Sequence, residues 1–150
     1  MDRQQDAHAM DVSPPGRDGW HTGRVFSFDL QIPPSANTYY RTSHNIVHLS
    51  KRARMYRLAV LDATKAGDPH WPLTCRLAVD VVVCFPTRRK ADIDNRLKPL
   101  LDTLQHAAVI ADDSQVDSLR VTRGPVRPGG RCFVTLTELI PTLQQSELHL

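Results

Sequence analysis

The chain has 150 residues, a formal net charge of +3 and 41% hydrophobic residues, which suits a single domain with its own core. No apolar run approaches the roughly 18 residues that a membrane-spanning helix needs, so no membrane partner is expected. Residues 1–24 lack the apolar block of a secretory signal and the three cysteines lack paired metal-ligand spacing, which predicts a cytoplasmic protein without a disulfide or a zinc site.

The positive charge is concentrated in parts of the sequence. Most of the 19 Lys and Arg side chains fall within residues 41–57, 86–98 and 118–131, where the only acids are Asp92 and Asp94. Segregation of this kind predicts a surface for a polyanion, of which nucleic acid is the commonest. Any one of these stretches alone is better explained as a solvated face, but that does not account for the exclusion of acids from all of them.

The first elements are a tail, a strand and a polar loop. Residues 1–23 mix polar side chains with proline and glycine without periodicity, so we predict a disordered or loosely docked tail. From Arg24 to Ile32 apolar residues alternate with polar ones, which predicts a half-buried strand that Pro33 ends. The loop that follows suits contacts with bases and phosphates, or its tyrosines pack on the sheet. The candidate DNA contacts in this loop are Asn37, Tyr39, Tyr40 and Arg41.

A helix and a long strand come next. The helix is predicted from Lys51 to about Ala66, because Ser50 is a preferred N-cap, apolar residues recur at helical spacing and Gly67 ends the pattern. Its first turns carry the candidate DNA contacts Lys51, Arg52 and Arg54. The segment Leu73–Phe85 is apolar at every odd position, and its far end is apolar on both faces. We therefore expect a central strand of the sheet.

Two aspartates one residue apart, Asp92 and Asp94, follow this strand inside a run of cations. In an extended segment such residues point the same way, and two carboxylates held together need positive charge between them. Either the nearby cations supply it or a divalent ion does, and Mg²⁺ prefers carboxylate oxygens. A helix predicted from about Asn95 to Ala107 begins here, so an aspartate that merely caps this helix is the alternative interpretation. The candidate DNA contacts in this run are Arg88, Arg89, Lys90 and Arg96.

Two further strands are predicted, Val116–Arg123 and Arg131–Glu138, joined as a hairpin by the Gly- and Pro-rich residues 124–130. The basic hairpin loop contains the candidate DNA contact Arg127. These elements predict an α/β (α+β) domain, a small mixed sheet of about four strands with two main helices packed on it. The domain spans residues 24–140, and residues 141–150 are expected to form a frayed C-terminal end.

Three segments of the sequence stand out as motifs, in this order: Pro33-Pro34-Ser35-Ala36-Asn37-Thr38-Tyr39-Tyr40-Arg41, Asp92-Ile93-Asp94-Asn95-Arg96-Leu97-Lys98-Pro99 and Val109-Ile110-Ala111-Asp112-Asp113-Ser114-Gln115-Val116. They resemble motifs of a known family, the RusA-type Holliday junction resolvases, and the resemblance extends from about Arg24 to Leu139. The members of this family are small Mg²⁺-dependent endonucleases of phages and prophages.

The resemblance implies roles for the acidic residues and for one lysine. Asp92, Asp94 and Asp113 correspond to metal-binding catalytic carboxylates. Asp112 corresponds to a supporting acid at the metal, and Lys98 to the basic residue beside the scissile phosphate. The resemblance also implies a RusA-like α/β domain that forms a homodimer, cleaves four-way DNA junctions and uses Mg²⁺, with Mn²⁺ as a substitute.

Phosphodiester hydrolysis also fits these residue types chemically. One or two Mg²⁺ ions on a carboxylate cluster activate water and stabilise the leaving oxyanion, and Lys98 can neutralise charge that develops on the phosphate. The sequence has no phosphate-cradling glycine loop, so no nucleotide cofactor is expected. Two alternatives stay open. One is a catalytically silent protein that binds branched DNA, and the other is a metal-dependent nucleotidyltransferase, a class that usually carries a Gly-Ser pair absent from this sequence.

Overall fold

The computed structural model describes residues 19–142. Within them the chain forms a four-stranded sheet, a two-stranded ribbon and three α-helices, which confirms the predicted α+β class. The strands are β1 (Trp20–Leu30), β2 (Tyr40–Ser43), β3 (Ile46–Leu49), β4 (Arg76–Cys84), β5 (Val116–Arg123) and β6 (Arg131–Pro141). The helices are α1 (Ala36–Tyr39), α2 (Lys51–Ala63) and α3 (Leu97–His106). None of the helices described is long and apolar enough to cross a membrane.

The four-stranded sheet has the order β1-β6-β4-β5, and β4 runs antiparallel to β6 and parallel to β5. The prediction that this strand is central is confirmed, because Val81 of β4 pairs with Val134 on one side and with Val121 on the other. Most β4 side chains are buried, as expected for an interior strand. The strand occupies 9 residues inside the predicted span Leu73–Phe85.

Residues 124–130 do not close a hairpin, so that prediction is wrong. β5 and β6 lie on opposite sides of β4, and their connection passes over the end of β4. There Gly124 N–H donates to Val83 O at 2.9 Å. Further along, Arg127 N–H donates to Phe85 O at 3.0 Å. Glycine and proline predict a change of direction, but they do not specify which strand the chain joins next.

β1 begins earlier than predicted. Trp20 pairs with Pro141 of β6, which itself runs past the predicted end of that strand. Residues 20–23 therefore belong to the sheet and not to a tail. The sequence lacks a signal for this because β1 is an edge strand with mostly exposed side chains at this end, so apolar residues do not alternate there. The rest of the predicted tail, residues 1–18, and residues 143–150 of the predicted frayed end lie outside the described residues.

The helix boundaries differ slightly from the predictions. The Ser50 hydroxyl accepts a hydrogen bond from Ala53 N–H (3.1 Å), which confirms the predicted cap of α2. This helix ends at Ala63, before the predicted end. The second predicted helix opens as a 3₁₀ turn, Asp94–Arg96, and continues as α3. Pro99 lies in the first turn of α3, where a helix does not need its missing N–H.

The two longer helices pack against the sheet through one face each. Tyr56 and Val60 of α2 and Leu100 and Leu104 of α3 share one buried cluster with the apolar side chains of β4. Burial of such a side chain contributes about 1.5–3 kcal/mol of hydrophobic free energy. Both helices are thus fixed relative to the end of β4, the region that carries the acidic residues.

Candidate active site

Asp92 and Asp94 lie between the end of β4 and the start of α3. Both side chains are exposed, and within residues 19–142 neither carboxylate makes a hydrogen bond or an ion pair. Neither the 3₁₀ turn nor α3 has a side-chain cap, so the interpretation that one of these aspartates caps the helix is wrong. Both carboxylates are open to a cation from solvent.

Lys98 connects α3 with the acidic pair that follows this helix. Its Nζ donates to Asp102 Oδ1 at 2.8 Å and to Asp113 Oδ2 at 3.1 Å. These hydrogen bonds, chiefly that to Asp102 and next that to Asp113, raise the pKa of Lys98 well above its ordinary value. The ammonium is therefore charged at neutral pH. Asp102 was not predicted as a site residue, although its position one helical turn after Lys98 is the signal that reveals it.

The second acidic pair lies at a 3₁₀ turn, Asp113–Gln115, which a buried amide anchors. The Gln115 Nε2 donates to the carbonyl oxygens of Leu73 and Cys75 just before β4, both at 2.8 Å. Its Oε1 accepts from Asp112 N–H, also at 2.8 Å. Gln115 was not predicted to have a role, although it belongs to the third of the three sequence motifs. This side chain fixes the acidic turn to the start of the central strand.

The two acids of this pair have different surroundings. The Asp112 carboxylate accepts from Ser114 Oγ at 2.8 Å, which lowers its pKa. Asp112 is therefore already bonded inside its own turn. Asp113 N–H donates to Gln105 Oε1 of α3 at 3.2 Å, while its carboxylate accepts from Lys98. Asp113 is thus held through its backbone with its side chain directed at the lysine.

The four aspartates expected to bind a metal are not gathered into a ligand set. Within residues 19–142 no three Asp, Glu, His or Cys side chains lie close enough together to hold a metal ion. The donor types do fit Mg²⁺, since all four are carboxylates and Asp92 and Asp94 are exposed. Beside Asp113 the positive charge is supplied by the Lys98 ammonium and not by a metal ion. Binding of a divalent ion to this set therefore requires rotation of exposed side chains, in competition with Lys98.

The basic residues of α2 and of the preceding ribbon meet in one groove. This groove, of about 740 Å³, lies between the β2–β3 ribbon and the first turns of α2. The cations that line it are Arg41, Lys51, Arg52 and Arg54. The N-terminal end of α2 adds the positive end of its helix dipole. Asn37, the other predicted contact nearby, is exposed on α1.

A second groove, of about 500 Å³, contains Asp92 and the basic run that precedes it. The cations that line it are Arg88, Arg89, Lys90 and Arg123. Arg123 was not predicted as a contact. Its guanidinium donates to Ala91 O at 2.5 Å and lies 4.8 Å from the centre of the Phe85 ring. Arg123 thus ties the loop that carries Asp92 to the edge strand β5.

The two adjacent tyrosines of the first motif face different environments. Tyr39 is fully buried, its hydroxyl lies 3.0 Å from Thr103 Oγ1, and the same hydroxyl accepts from Arg57 Nε at 2.9 Å. The prediction that it contacts DNA is wrong, because Tyr39 has no exposed surface. The alternative is correct in that Tyr39 is packed, but it packs against α2 and α3 and not on the sheet. Tyr40 is 41% exposed and donates its hydroxyl to Asp102 Oδ2 at 2.8 Å. Burial and then this hydrogen bond raise the pKa of Tyr40 to about 12.

Two of the predicted arginine contacts also pack against other parts of the protein. Arg96 donates to Pro33 O at 2.7 Å and lies 5.3 Å from the centre of the Phe85 ring, and burial lowers its pKa. It therefore links the first two sequence motifs. Arg127 lies 5.0 Å from the centre of the Phe133 ring, yet its residue is exposed, so it remains available to a ligand.

The sequence matches known proteins over most of its length. The family model of Endodeoxyribonuclease RusA matches residues 29–137. Crossover junction endodeoxyribonuclease rusA of Enterobacteria phage HK97 is 39% identical over 114 residues, which cover 76% of this chain and 95% of that protein. Crossover junction endodeoxyribonuclease RusA of Escherichia coli strain K12 is 35% identical over 115 residues, or 77% of this chain and 96% of that protein. The chain therefore belongs to the RusA endodeoxyribonuclease family.

Proposed function

We propose that this chain is a cytoplasmic, Mg²⁺-dependent endodeoxyribonuclease that resolves four-way DNA junctions by hydrolysing a phosphodiester bond in each of two opposed strands. Membership of the family and the names of the relatives, which are crossover junction endodeoxyribonucleases, support the substrate class. The observation that carries the proposal is the position of Lys98. Its ammonium bonds to Asp113 from the first turn of α3, the helix that begins just after Asp92 and Asp94, which supports the assignment of both acidic turns to one site.

In this proposal the carboxylates of Asp92, Asp94 and Asp113 hold one or two Mg²⁺ ions, or Mn²⁺ in their place. When bound, such ions activate the attacking water and stabilise the leaving oxygen. Lys98 carries a fixed positive charge and neutralises the charge that develops on the phosphate. Asp112 supports the site by holding the turn of Asp113, since its own carboxylate is bonded to Ser114.

The grooves provide a path for the DNA backbone. The groove of α2 shares Arg52 and Met55 with a neighbouring groove that is lined by Arg96 and Pro86. Pro86 in turn adjoins Phe85, which lines the groove of Asp92. Cations along such a path neutralise phosphates and release counterions. A basic surface from α2 to the turn of Asp92 therefore suits the backbone of a duplex arm.

The proposed working unit is a homodimer. A four-way junction has approximate two-fold symmetry, and its resolution requires a cut in each of two opposed strands. One chain has a single set of Asp92, Asp94 and Asp113. A two-fold dimer presents a second set in a symmetric position, because an isologous interface relates each residue to its copy.

The decisive experiment is incubation of the protein with a cruciform on a supercoiled plasmid, with Mg²⁺, with EDTA, and with Mg²⁺ plus nucleoside triphosphates. We expect linear plasmid with Mg²⁺ alone and no product with EDTA, since two opposed cuts linearise the circle. Binding without cutting in either Mg²⁺ or Mn²⁺ supports the silent DNA-binding protein, the alternative favoured by the absence of a gathered ligand set in residues 19–142. Activity that needs a nucleoside triphosphate supports the nucleotidyltransferase.

A further inference from the structure

We propose that Asp102 and Tyr40 are positioning residues that hold the Lys98 ammonium beside Asp113. This inference rests on the proposed function, because it concerns how the charge used at the phosphate is placed. Three hydrogen bonds carry it, and they form a continuous chain from Tyr40 through Asp102 and Lys98 to Asp113.

Asp102 binds its two donors through different oxygens. Oδ1 accepts from Lys98 Nζ and Oδ2 accepts from Tyr40 Oη–H, each at 2.8 Å. The Asp102 side chain is only 15% exposed, whereas that of Lys98 is 63% exposed. A carboxylate bonded at both oxygens has a fixed orientation, so it can restrain the long and flexible side chain of Lys98.

Tyr40 is itself supported from the core. Its ring packs edge-on against Tyr39 with 4.8 Å between ring centres and an interplanar angle of 80°. Tyr39 is fully buried, and its hydroxyl is bonded to Thr103 and Arg57. The adjacent tyrosines of the first motif thus contribute to the site through Asp102. Tyr39 anchors the pair in the core, and Tyr40 bonds to the Asp102 carboxylate.

The arrangement gives Lys98 two acceptors, and this has a chemical consequence. With Asp113 as its only acceptor, the ammonium would neutralise a carboxylate that the proposed function assigns to the metal. Asp102 lies one helical turn away on the same helix and keeps the ammonium near the site when a ligand engages Asp113. We infer that Asp102 acts on catalysis only through Lys98.

A double-mutant cycle tests this inference, because it isolates the coupling between two residues. The variants are Asp102→Asn, Lys98→Gln and the two combined, assayed for single-turnover cleavage and for junction affinity without metal. We expect Asp102→Asn to lower the cleavage rate roughly tenfold, since small displacements of a catalytic group are costly, while Kd stays equal or falls. In the Lys98→Gln background the same change should cause no further loss. Asp102→Glu should recover part of the rate, and Tyr40→Phe should lose less than Asp102→Asn.

A second cycle measures the same contact without metal or DNA. Asp102→Asn should lower Tm by roughly 2 °C in the wild-type background, and should not lower it in the Lys98→Gln background. The matched control is Asp62→Asn, an exposed aspartate of α2, which should leave the cleavage rate unchanged. The inference is overturned if the rate losses of Asp102→Asn and Lys98→Gln multiply in the double variant. It is also overturned if Asp102→Asn cleaves at the wild-type rate. If the wild-type protein does not cut junctions with Mg²⁺, the proposed function is wrong, and the Tm cycle still decides whether Asp102 holds Lys98.

Discussion

The turns before and after α3 both carry a pair of acids, but their bonding differs. In the turn before the helix, Asp92 and Asp94 are exposed and bond to nothing in the part of the chain that the structure describes. In the turn after it, Gln115 makes three hydrogen bonds and the Asp113 carboxylate is paired with Lys98. The turn after the helix is therefore held in place by hydrogen bonds of its side chains. The turn before the helix presents carboxylates that make no hydrogen bond or ion pair within residues 19–142.

The sharpest way to test this contrast is Asp94→Asn. We expect junction cleavage to fall by more than about a hundredfold, because the change removes a carboxylate that we propose as a metal ligand. The Tm should not change, since the carboxylate has no partner in residues 19–142, and junction affinity should stay equal or rise because one negative charge near phosphate is removed. Single-turnover cleavage, calorimetry and gel-shift titration measure these effects. Cleavage at the wild-type rate would mean that this turn is merely solvated.

In the turn after the helix, Gln115→Ala should destabilise the protein, whereas Asp94→Asn should leave the Tm unchanged. Removal of the buried amide leaves the Cys75 carbonyl oxygen and the Asp112 N–H without this partner, while the Leu73 carbonyl oxygen keeps the hydrogen bond from Ala111 N–H (3.2 Å). The free energy of unfolding should fall by about 1–3 kcal/mol, as is usual for unsatisfied buried groups. Urea denaturation measures this. The matched control is Gln105→Ala, which removes one exposed hydrogen bond to Asp113 N–H and should cost less than about 1 kcal/mol. Equal losses for the two variants would contradict the anchoring role of Gln115.

The smallest effect is expected on the basic groove, away from both turns. If Lys51, Arg52 and Arg54 each bind a phosphate, their combined replacement by Ala should flatten the slope of log affinity against log salt by about 2.7, at roughly 0.9 per contact. Titration of a four-way junction at several salt concentrations measures the slope. Arg24→Ala, a change outside the basic stretches, is the control. An unchanged slope in the triple variant would mean that this face of α2 is only solvated.

Features that depend on local sequence were predicted correctly. The alternation of apolar residues identified β4 and its central place, because a buried strand has a short-range pattern. Ser50 identified the start of α2 in the same way, since a cap depends on one side chain and the next backbone amides. The order of the three motifs also identified the family.

Features that depend on distant parts of the chain were not predicted. The hairpin over residues 124–130 was wrong because the choice of β4 as the neighbour of both strands is made by long-range pairing. Tyr39 was assigned to DNA because its buried partners are far away in the sequence. The i,i+4 spacing of Lys98 and Asp102 was a local signal for that ion pair. The bond of Asp102 with Tyr40 had no such signal, since it joins residues separated by 62 positions. The metal-binding roles of Asp92, Asp94, Asp112 and Asp113 stay predictions.

The strand order has a consequence for how the chain folds during synthesis. Among the strands of residues 19–142, β4 is made before either of its neighbours, and β1 pairs only with β6, the last of them. The ribosome therefore releases an apolar strand with no partner until the final third of the domain has emerged. Such long-range pairing makes folding slow and leaves apolar surface open to aggregation in the meantime. A truncation that removes β6 (Arg131–Pro141) would take a partner from both β1 and β4 and separate β1 from the β4–β5 pair.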